Sequence, residues 1–92
     1  MKFIYNSRQK VNSVILDNIP GVDKIKLFDN KVEVFMSDRY ISDFFGKPVS
    51  KLEAEDVIDY AEGGLTDSLH DAFLDNKLNI NIRDLTFDNI EM

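Results

Sequence analysis

The sequence has no cysteine, no tryptophan, only two prolines and no long apolar run. The absence of cysteine excludes disulfide bridges, thiolate zinc sites, iron–sulfur clusters and a cysteine nucleophile. The first apolar run, Phe3–Tyr5, ends at Asn6 and is too short for the core of a secretory signal. No segment reaches the ~20 apolar residues that cross a bilayer. We therefore expect a soluble cytoplasmic protein, in the host cytoplasm if the gene is viral, and the abundant Ile, Asn and Lys are typical of AT-rich genes such as those of some phages.

Basic residues are also scarce, since 11 Lys and Arg stand against 17 Asp and Glu, for a net charge of −6. This balance argues against general affinity for nucleic acid or anionic lipid, both of which attract basic surfaces. The 92 residues allow one domain, 1–92, with one modest core. An apolar content of 43%, with seven Phe, is sufficient for that core.

The hydrophobic pattern predicts a ferredoxin-like β-α-β-β-α-β order, an α+β domain with an antiparallel sheet and its helices on one face. The predicted elements are a strand at 3–5, a helix at 8–18 capped by Ser7, strands at 25–28 and 31–36, a short helix ending at Gly46, helices at 51–62 and after Gly63-Gly64, and a final strand that begins at 78–82. Leu85 and Phe87 continue its alternation in the opposite parity, which predicts a bulge or bend near Arg83-Asp84.

A hairpin is the clearest local feature, because Asp29 and Asn30 tolerate the positive φ that a two-residue turn requires. Closing the turn there predicts three cross-strand pairs: Leu27–Val32, Lys26–Glu33 and Ile25–Val34. One face then becomes apolar, and the other carries an opposite-charge pair. A shift of one residue destroys this match.

Helix starts are predicted from capping residues. Ser37 or Asp38 caps the short helix, and Ser50-x-x-Glu53 has the form of a capping box that opens the helix at 51–62. Thr66 or Asp67 begins the next one. The inward-facing residues are predicted to be Ala54, Ile58 and Ala61, widened by Leu52, Val57 and Tyr60, and then Leu69, Ala72 and Phe73.

Acidic residues are concentrated between positions 53 and 75, where there is no Lys or Arg. They are Glu53, Glu55, Asp56, Asp59, Glu62, Asp67, Asp71 and Asp75. The spacing i, i+4, i+7 or i+8 predicts two ridges, one along each helix: Glu55/Asp59/Glu62 and Asp67/Asp71/Asp75. Like charges at such spacing destabilise a helix by about 0.2–0.5 kcal/mol per pair, so these ridges reduce stability.

Two interpretations of this acidic face stay open. It either only solvates the protein, or it docks onto a basic surface of a protein partner. In the second case, rows of carboxylates replace phosphates in a DNA- or RNA-binding groove. The protein is then an inhibitor of a nucleic-acid-binding protein, for example a phage-encoded nucleic-acid mimic with an anti-defence role. A Ca²⁺ or Mg²⁺ site is a weaker third interpretation, since no calcium-binding loop motif occurs.

Candidates for catalysis are few. His70 is the only histidine, with Asp67 and Asp71 nearby but no third ligand evident. No nucleophile elbow, zinc-protease or P-loop motif occurs. We expect a non-enzymatic protein without metal or cofactor that binds neither nucleic acid directly nor membranes.

An alternative function is that of an assembly protein with apolar contacts. Its contacts would be an aromatic cluster beside Arg39 and Lys47, formed by Tyr40, Phe44, Phe45 and Pro48, and the C-terminal segment 85–92. That segment is either an edge strand or an arm exchanged between subunits of a homo-oligomer.

Overall fold

The computed structural model describes residues 1–10, 19–75 and 84–91. Its elements are β1 (Lys2–Ser7), β2 (Val22–Phe28), β3 (Lys31–Met36), α1 (Asp38–Phe45), a 3₁₀ turn (Val49–Lys51), α2 (Ala54–Glu62), α3 (Gly64–Asp75) and β4 (Leu85–Glu91). The predicted strand at 78–82 lies outside the described residues. Of the predicted helix at 8–18, residues 11–18 also lie outside them, and residues 8–10 are not helical. Ser7 belongs to β1 instead of capping a helix, and its hydroxyl accepts from the Gln9 N–H at 3.2 Å.

The four strands form one antiparallel sheet in the order β2-β3-β1-β4. β1, the first strand in the chain, therefore lies between β3 and β4. This interleaving agrees broadly with the predicted ferredoxin-like order and confirms the α+β class. The described part of the chain adds α1 and the 3₁₀ turn between β3 and α2.

The predicted hairpin is confirmed in its register. Asp29 has φ +49° in the turn, and the three predicted pairs form, closed by Phe28 opposite Lys31. Val32 and Val34 are fully buried on the side that packs against the helices. Register is fixed because a slip of one residue would move these valines to the opposite face.

The core lies between one face of the sheet and the helices. Fully buried strand residues meet fully buried helical residues there: Phe3, Tyr5, Val32 and Val34 from the sheet, and Ile41, Ala61, Leu65, Leu69 and Phe73 from the helices. Burial of each large side chain contributes roughly 1.5–3 kcal/mol of transfer free energy. The core thus holds α2 and α3 on one face of the sheet.

The ends of α1 match their prediction. Ser37 is the N-cap, and its hydroxyl accepts from the Tyr40 N–H at 3.4 Å. Gly46 ends the helix in the left-handed region at φ +70°.

The predicted capping box of α2 is wrong. Ser50 lies in the 3₁₀ turn, where the Lys51 N–H donates to the Pro48 carbonyl at 2.9 Å. Helix α2 begins at Ala54, with Glu53 as an N-cap that makes no side-chain capping bond. The early turn uses the backbone around Ser50, so the helix starts three residues later than predicted. Helix α3 likewise begins at Gly64, before the predicted Thr66 or Asp67.

The C-terminal strand β4 pairs with β1 and contains a bulge. Tyr5 lies opposite Phe87 and Ile4 lies opposite Asn89, so Asp88 is the extra residue. The bulge or bend predicted near Arg83-Asp84 depends on residues before Asp84 that lie outside the described part of the chain, so the bulge at Asp88 is a separate feature. Within segment 85–92, residues Leu85–Glu91 form a strand that pairs with β1 of the same chain.

Candidate functional site

The acidic face is exposed as its spacing predicts. Helix α2 buries Val57 and Ala61, and helix α3 buries Leu69 and Phe73. The opposite face of each helix is therefore exposed to solvent. Seven acids of the two helices and their N-cap have exposed side chains: Glu53, Glu55, Asp56, Asp59, Glu62, Asp67 and Asp71. Asp75 is the last residue of α3, and only its backbone is described.

These seven carboxylates have no ion-pair partner among the described residues. The described ion pairs lie elsewhere: Lys2 binds Glu33 at 3.2 Å and Glu91 at 2.6 Å, and the N-terminal ammonium binds Asp38 at 2.8 Å. The negative charge of α2 and α3 is therefore not neutralised within the described part of the protein. It is available to an external cation or to a basic surface.

The two helices are joined by a compact set of hydrogen bonds. The Gly63 N–H donates to the Asp59 carbonyl at 2.9 Å, and the Asp67 N–H donates to the Gly63 carbonyl at 3.0 Å. The hydroxyls of Tyr5 and Thr66 both donate to the carbonyl of Ala61. Burial raises the pKa of Tyr5, so this phenol stays a neutral donor. The junction fixes the point at which one acidic helix ends and the next begins.

A groove runs between β4 and α2. It consists of two adjoining cavities of about 440 and 370 Å³ that share Phe87. The larger cavity is mainly apolar and is lined by Leu52, Ala54, Val57, Ile58, Phe87, Asp88, Asn89 and Ile90. The smaller one is more polar and is lined by Glu62, Thr66, Leu85, Thr86 and Phe87. Both volumes lie within the range of roughly 300–1,000 Å³ that is usual for binding clefts.

The prediction of which residues of α2 face the core is partly wrong, because some of them line this groove. Ala54 is exposed, and Ile58 keeps 36% of its surface exposed, although both were expected to face the core. The reason is the width of the sheet: of the described strands, β4 is the one at this edge, so nothing described continues the sheet beneath Ile58. Val57, which precedes Ile58 by one residue, and Ala61, which follows it by three, are buried instead.

The acidic ridge of α2 borders this groove. Ile58 follows Glu55 by three residues and precedes Glu62 by four, so both carboxylates lie next to it on the helix surface. Glu62 also lines the polar cavity, and Asp88 contributes a further exposed carboxylate from β4. One lip of an apolar groove is thus negatively charged.

The face of the sheet opposite the helices has a different character. The Lys2, Lys24 and Lys26 ammonium groups lie 5.4–5.6 Å from the centre of the Phe35 ring, within cation–π range. Hydrogen bonds to Glu91 and Glu33 raise the pKa of Lys2. These three lysines therefore lie on the face of the sheet that is away from the acidic helices.

The predicted aromatic cluster is partly in the core and partly exposed. Tyr40 and Phe45 are half-buried, whereas Phe44 is 56% exposed and Pro48 is exposed. Tyr60 joins the cluster, with its ring centre 4.9 Å from Phe44 and 5.9 Å from Phe45. Its position in α2 was predicted to widen the apolar face, but the aromatic contact itself has no signal in the sequence.

The remaining candidates for chemistry do not converge. His70 is half-buried in α3. Within residues 1–10, 19–75 and 84–91, no group of three His, Asp or Glu side chains is placed to hold a metal ion. Over the same ranges, no helix has the length and apolar character required to cross a membrane.

No protein-family model, curated protein or solved structure matches this chain. Functional inference therefore depends on the residues and surfaces described above.

Proposed function

We propose that this protein is a small, non-enzymatic binding protein that docks the acidic face of α2 and α3 onto a basic surface of a protein partner. The observation that carries the proposal is the set of seven exposed carboxylates without an ion-pair partner among the described residues. An acidic surface of this kind favours partners with clustered Lys and Arg through complementary charge. Protein surfaces that ordinarily bind nucleic acid carry clusters of Lys and Arg of this kind.

The charge density supports a comparison with nucleic acid. Glu55, Asp59 and Glu62 span seven residues of helix, or about 10 Å, so the ridge has one charge per ~5 Å. A single nucleic-acid strand has one phosphate per ~3.4 Å. The helix therefore presents a somewhat sparser row of anions of the same sign. In this proposal it competes for a DNA- or RNA-binding groove, as a phage-encoded inhibitor of a cytoplasmic nuclease or defence protein would.

The like-charge arrangement also needs an explanation, because it opposes folding. Asp59 has three acidic neighbours at helical spacing: Glu55, Asp56 and Glu62. Each such pair disfavours the helix by about 0.2–0.5 kcal/mol. A docking role accounts for retaining an arrangement that reduces stability.

The test is affinity capture from host-type lysate with matched charge variants. D59N/D71N removes two charges from the acidic face, and D23N/D43N removes two exposed charges outside it, so both variants have a net charge of −4 (−6 + 2). We expect the wild type and D23N/D43N to retain a nucleic-acid-binding protein at low salt, and D59N/D71N to retain much less of it. Added DNA or RNA should release the partner by competition. Equal retention by all three proteins would contradict the proposal.

An alternative function is assembly through apolar contacts, which is favoured by the 56% exposure of Phe44 within the aromatic cluster. Salt distinguishes the two functions, because an acid-driven complex weakens steeply with ionic strength and an apolar one hardly responds. Capture that survives high salt but is lost in F44S would assign the function to the aromatic cluster.

A further inference from the structure

We propose that the groove between β4 and α2 binds an extended basic segment of the partner, which adds to the sheet as a strand beside β4. The inference rests on the proposed function, because it takes the partner to be a basic protein. It goes further in naming the contact: backbone hydrogen bonds to β4, apolar side chains in the groove and Lys or Arg side chains at its acidic lip.

The backbone of β4 has groups that can form hydrogen bonds with an added strand. Of the described strands, β4 has one neighbour, β1. In an antiparallel pair, alternate residues direct both N–H and C=O away from their neighbour. The seven residues of β4 extend over about 23 Å and offer such groups on either side of the bulge at Asp88. Peptides that add to a sheet gain affinity from these groups.

The groove would receive side chains of the added strand. These side chains alternate between the two faces of the sheet. On the helical side they would enter the apolar cavity of about 440 Å³. Val57 and Ile58 form its helical wall, and Phe87 and Ile90 its strand wall. A branched apolar residue fits this lining.

Charge determines the kind of occupant. Glu55 and Glu62 flank Ile58 at one lip, Glu62 lines the polar cavity, and β4 itself carries Asp88 and Glu91. A second copy of this chain is disfavoured at this position, because two copies each carry −6 and two β4 strands would bring Asp88 and Glu91 together. A segment that alternates Lys or Arg with apolar residues complements both the lining and the lip.

The experiment uses a synthetic peptide of the same length as β4 in which Lys alternates with Val. Its control is the same peptide with alternate backbone amides methylated, which keeps charge and side chains but removes donors for strand pairing. We expect the methylated peptide to bind the wild-type protein at least about tenfold more weakly, as measured by calorimetry. Equal binding of the two peptides would overturn strand addition and leave electrostatic docking intact.

The chain offers a matched pair of variants for the same measurement. I58N places an uncharged polar group in the groove, and L74N places one on an apolar residue of α3, 51% exposed, that does not line the groove. We expect I58N to weaken peptide binding at least about tenfold and L74N to stay within about twofold of the wild type, with both folded by circular dichroism. Equal loss in both variants would overturn the site.

Two further outcomes also overturn the inference. Absence of peptide binding while a basic partner is still captured through the acidic helices would leave the proposed function standing without the groove. Concentration-dependent association of the protein alone, seen by sedimentation and abolished in I58N, would assign the groove to a second copy.

Discussion

The hydroxyl of Tyr5 on β1 donates a hydrogen bond to the carbonyl oxygen of Ala61 in the last turn of α2. A carbonyl at a helix end has no partner within its own helix, so this bond satisfies a buried acceptor. The Thr66 hydroxyl donates to the same oxygen. The centre of the sheet is thereby connected to the junction of the two acidic helices.

We expect Y5F to lower the free energy of unfolding by about 1 kcal/mol, because the Ala61 carbonyl keeps Thr66 as a donor. Y40F is the control, since Tyr40 is half-buried and its hydroxyl has no hydrogen-bond partner among the described residues. Urea denaturation measures both. A loss in Y40F equal to that in Y5F would show that the bond to Ala61 is not the stabilising feature.

Alkaline pH should destabilise the protein through its buried phenols. Burial raises the pKa of Tyr60 from 10.0 to about 12, and it raises that of Tyr5 as well. The folded state therefore favours the neutral phenols, and their contribution is complete below pH 10. Above pH 10 the unfolded chain ionises first, so stability falls as the pH rises toward 12. Urea midpoints at pH 8 to 11 measure this fall, which should be smaller in Y60F.

Gly21 and Gly46 should respond differently to alanine. Both have positive φ, +79° and +70°, so alanine is strained at either by roughly 1–2 kcal/mol. A Cβ at position 21 would also overlap the Tyr40 ring, whereas nothing lies within 4 Å of one at position 46. We expect G46A to lose about 1 kcal/mol and G21A at least about 3 kcal/mol in thermal or urea unfolding. Equal losses would show that the ring moves aside freely.

Local chemistry explains which parts of the fold could be predicted. The Asp29-Asn30 hairpin and the limits of α1 depend on residues next to each other in the chain, and both were confirmed. The capping box at Ser50 failed because a competing 3₁₀ turn uses the same residues. The bulge at Asp88 was not predicted, because the position of the extra residue depends on pairing with β1, which is 80 or more residues away. Sequence periodicity contains no information about that register.

The candidate site could also be predicted only in part. Exposure of the acids followed from their spacing along α2 and α3. The groove did not, because periodicity places Ile58 on an apolar face without showing that β4 is the outermost of the described strands beneath it. The contact of Tyr60 with Phe44 and Phe45 likewise requires α1 and α2 to meet.

Removal of one acid from the ridge should stabilise the protein. D59N relieves three like-charge pairs, and we expect a gain of about 0.6–1.5 kcal/mol in the free energy of unfolding at low salt. The gain should shrink at high salt because exposed charges are screened. D23N on β2 is the control and should change stability little. A loss of stability in D59N would mean that the ridge supports the fold.

Deletion of Asp88 should be tolerated, unlike deletion of Thr86 two residues earlier. Because Asp88 is the extra residue of the bulge, its removal leaves Phe87 opposite Tyr5 and Asn89 opposite Ile4 in a regular ladder. We expect a loss of stability below about 1 kcal/mol. Deletion of Thr86 moves Leu85, which is 7% exposed, to the other face and should cost about 2–4 kcal/mol.

Urea unfolding measures the stability of both deletion variants. Sedimentation tests whether the Asp88 deletion also causes self-association. A bulge limits the length of strand with which another chain can pair. Without Asp88, β4, the outermost described strand on this side, becomes regular over its whole length and has one negative charge fewer beside its apolar groove. We therefore expect the Asp88 deletion to self-associate at concentrations where the wild type stays monomeric. A deletion variant that unfolds as easily as the Thr86 deletion, or that stays monomeric, would show that the bulge has a different role in β4.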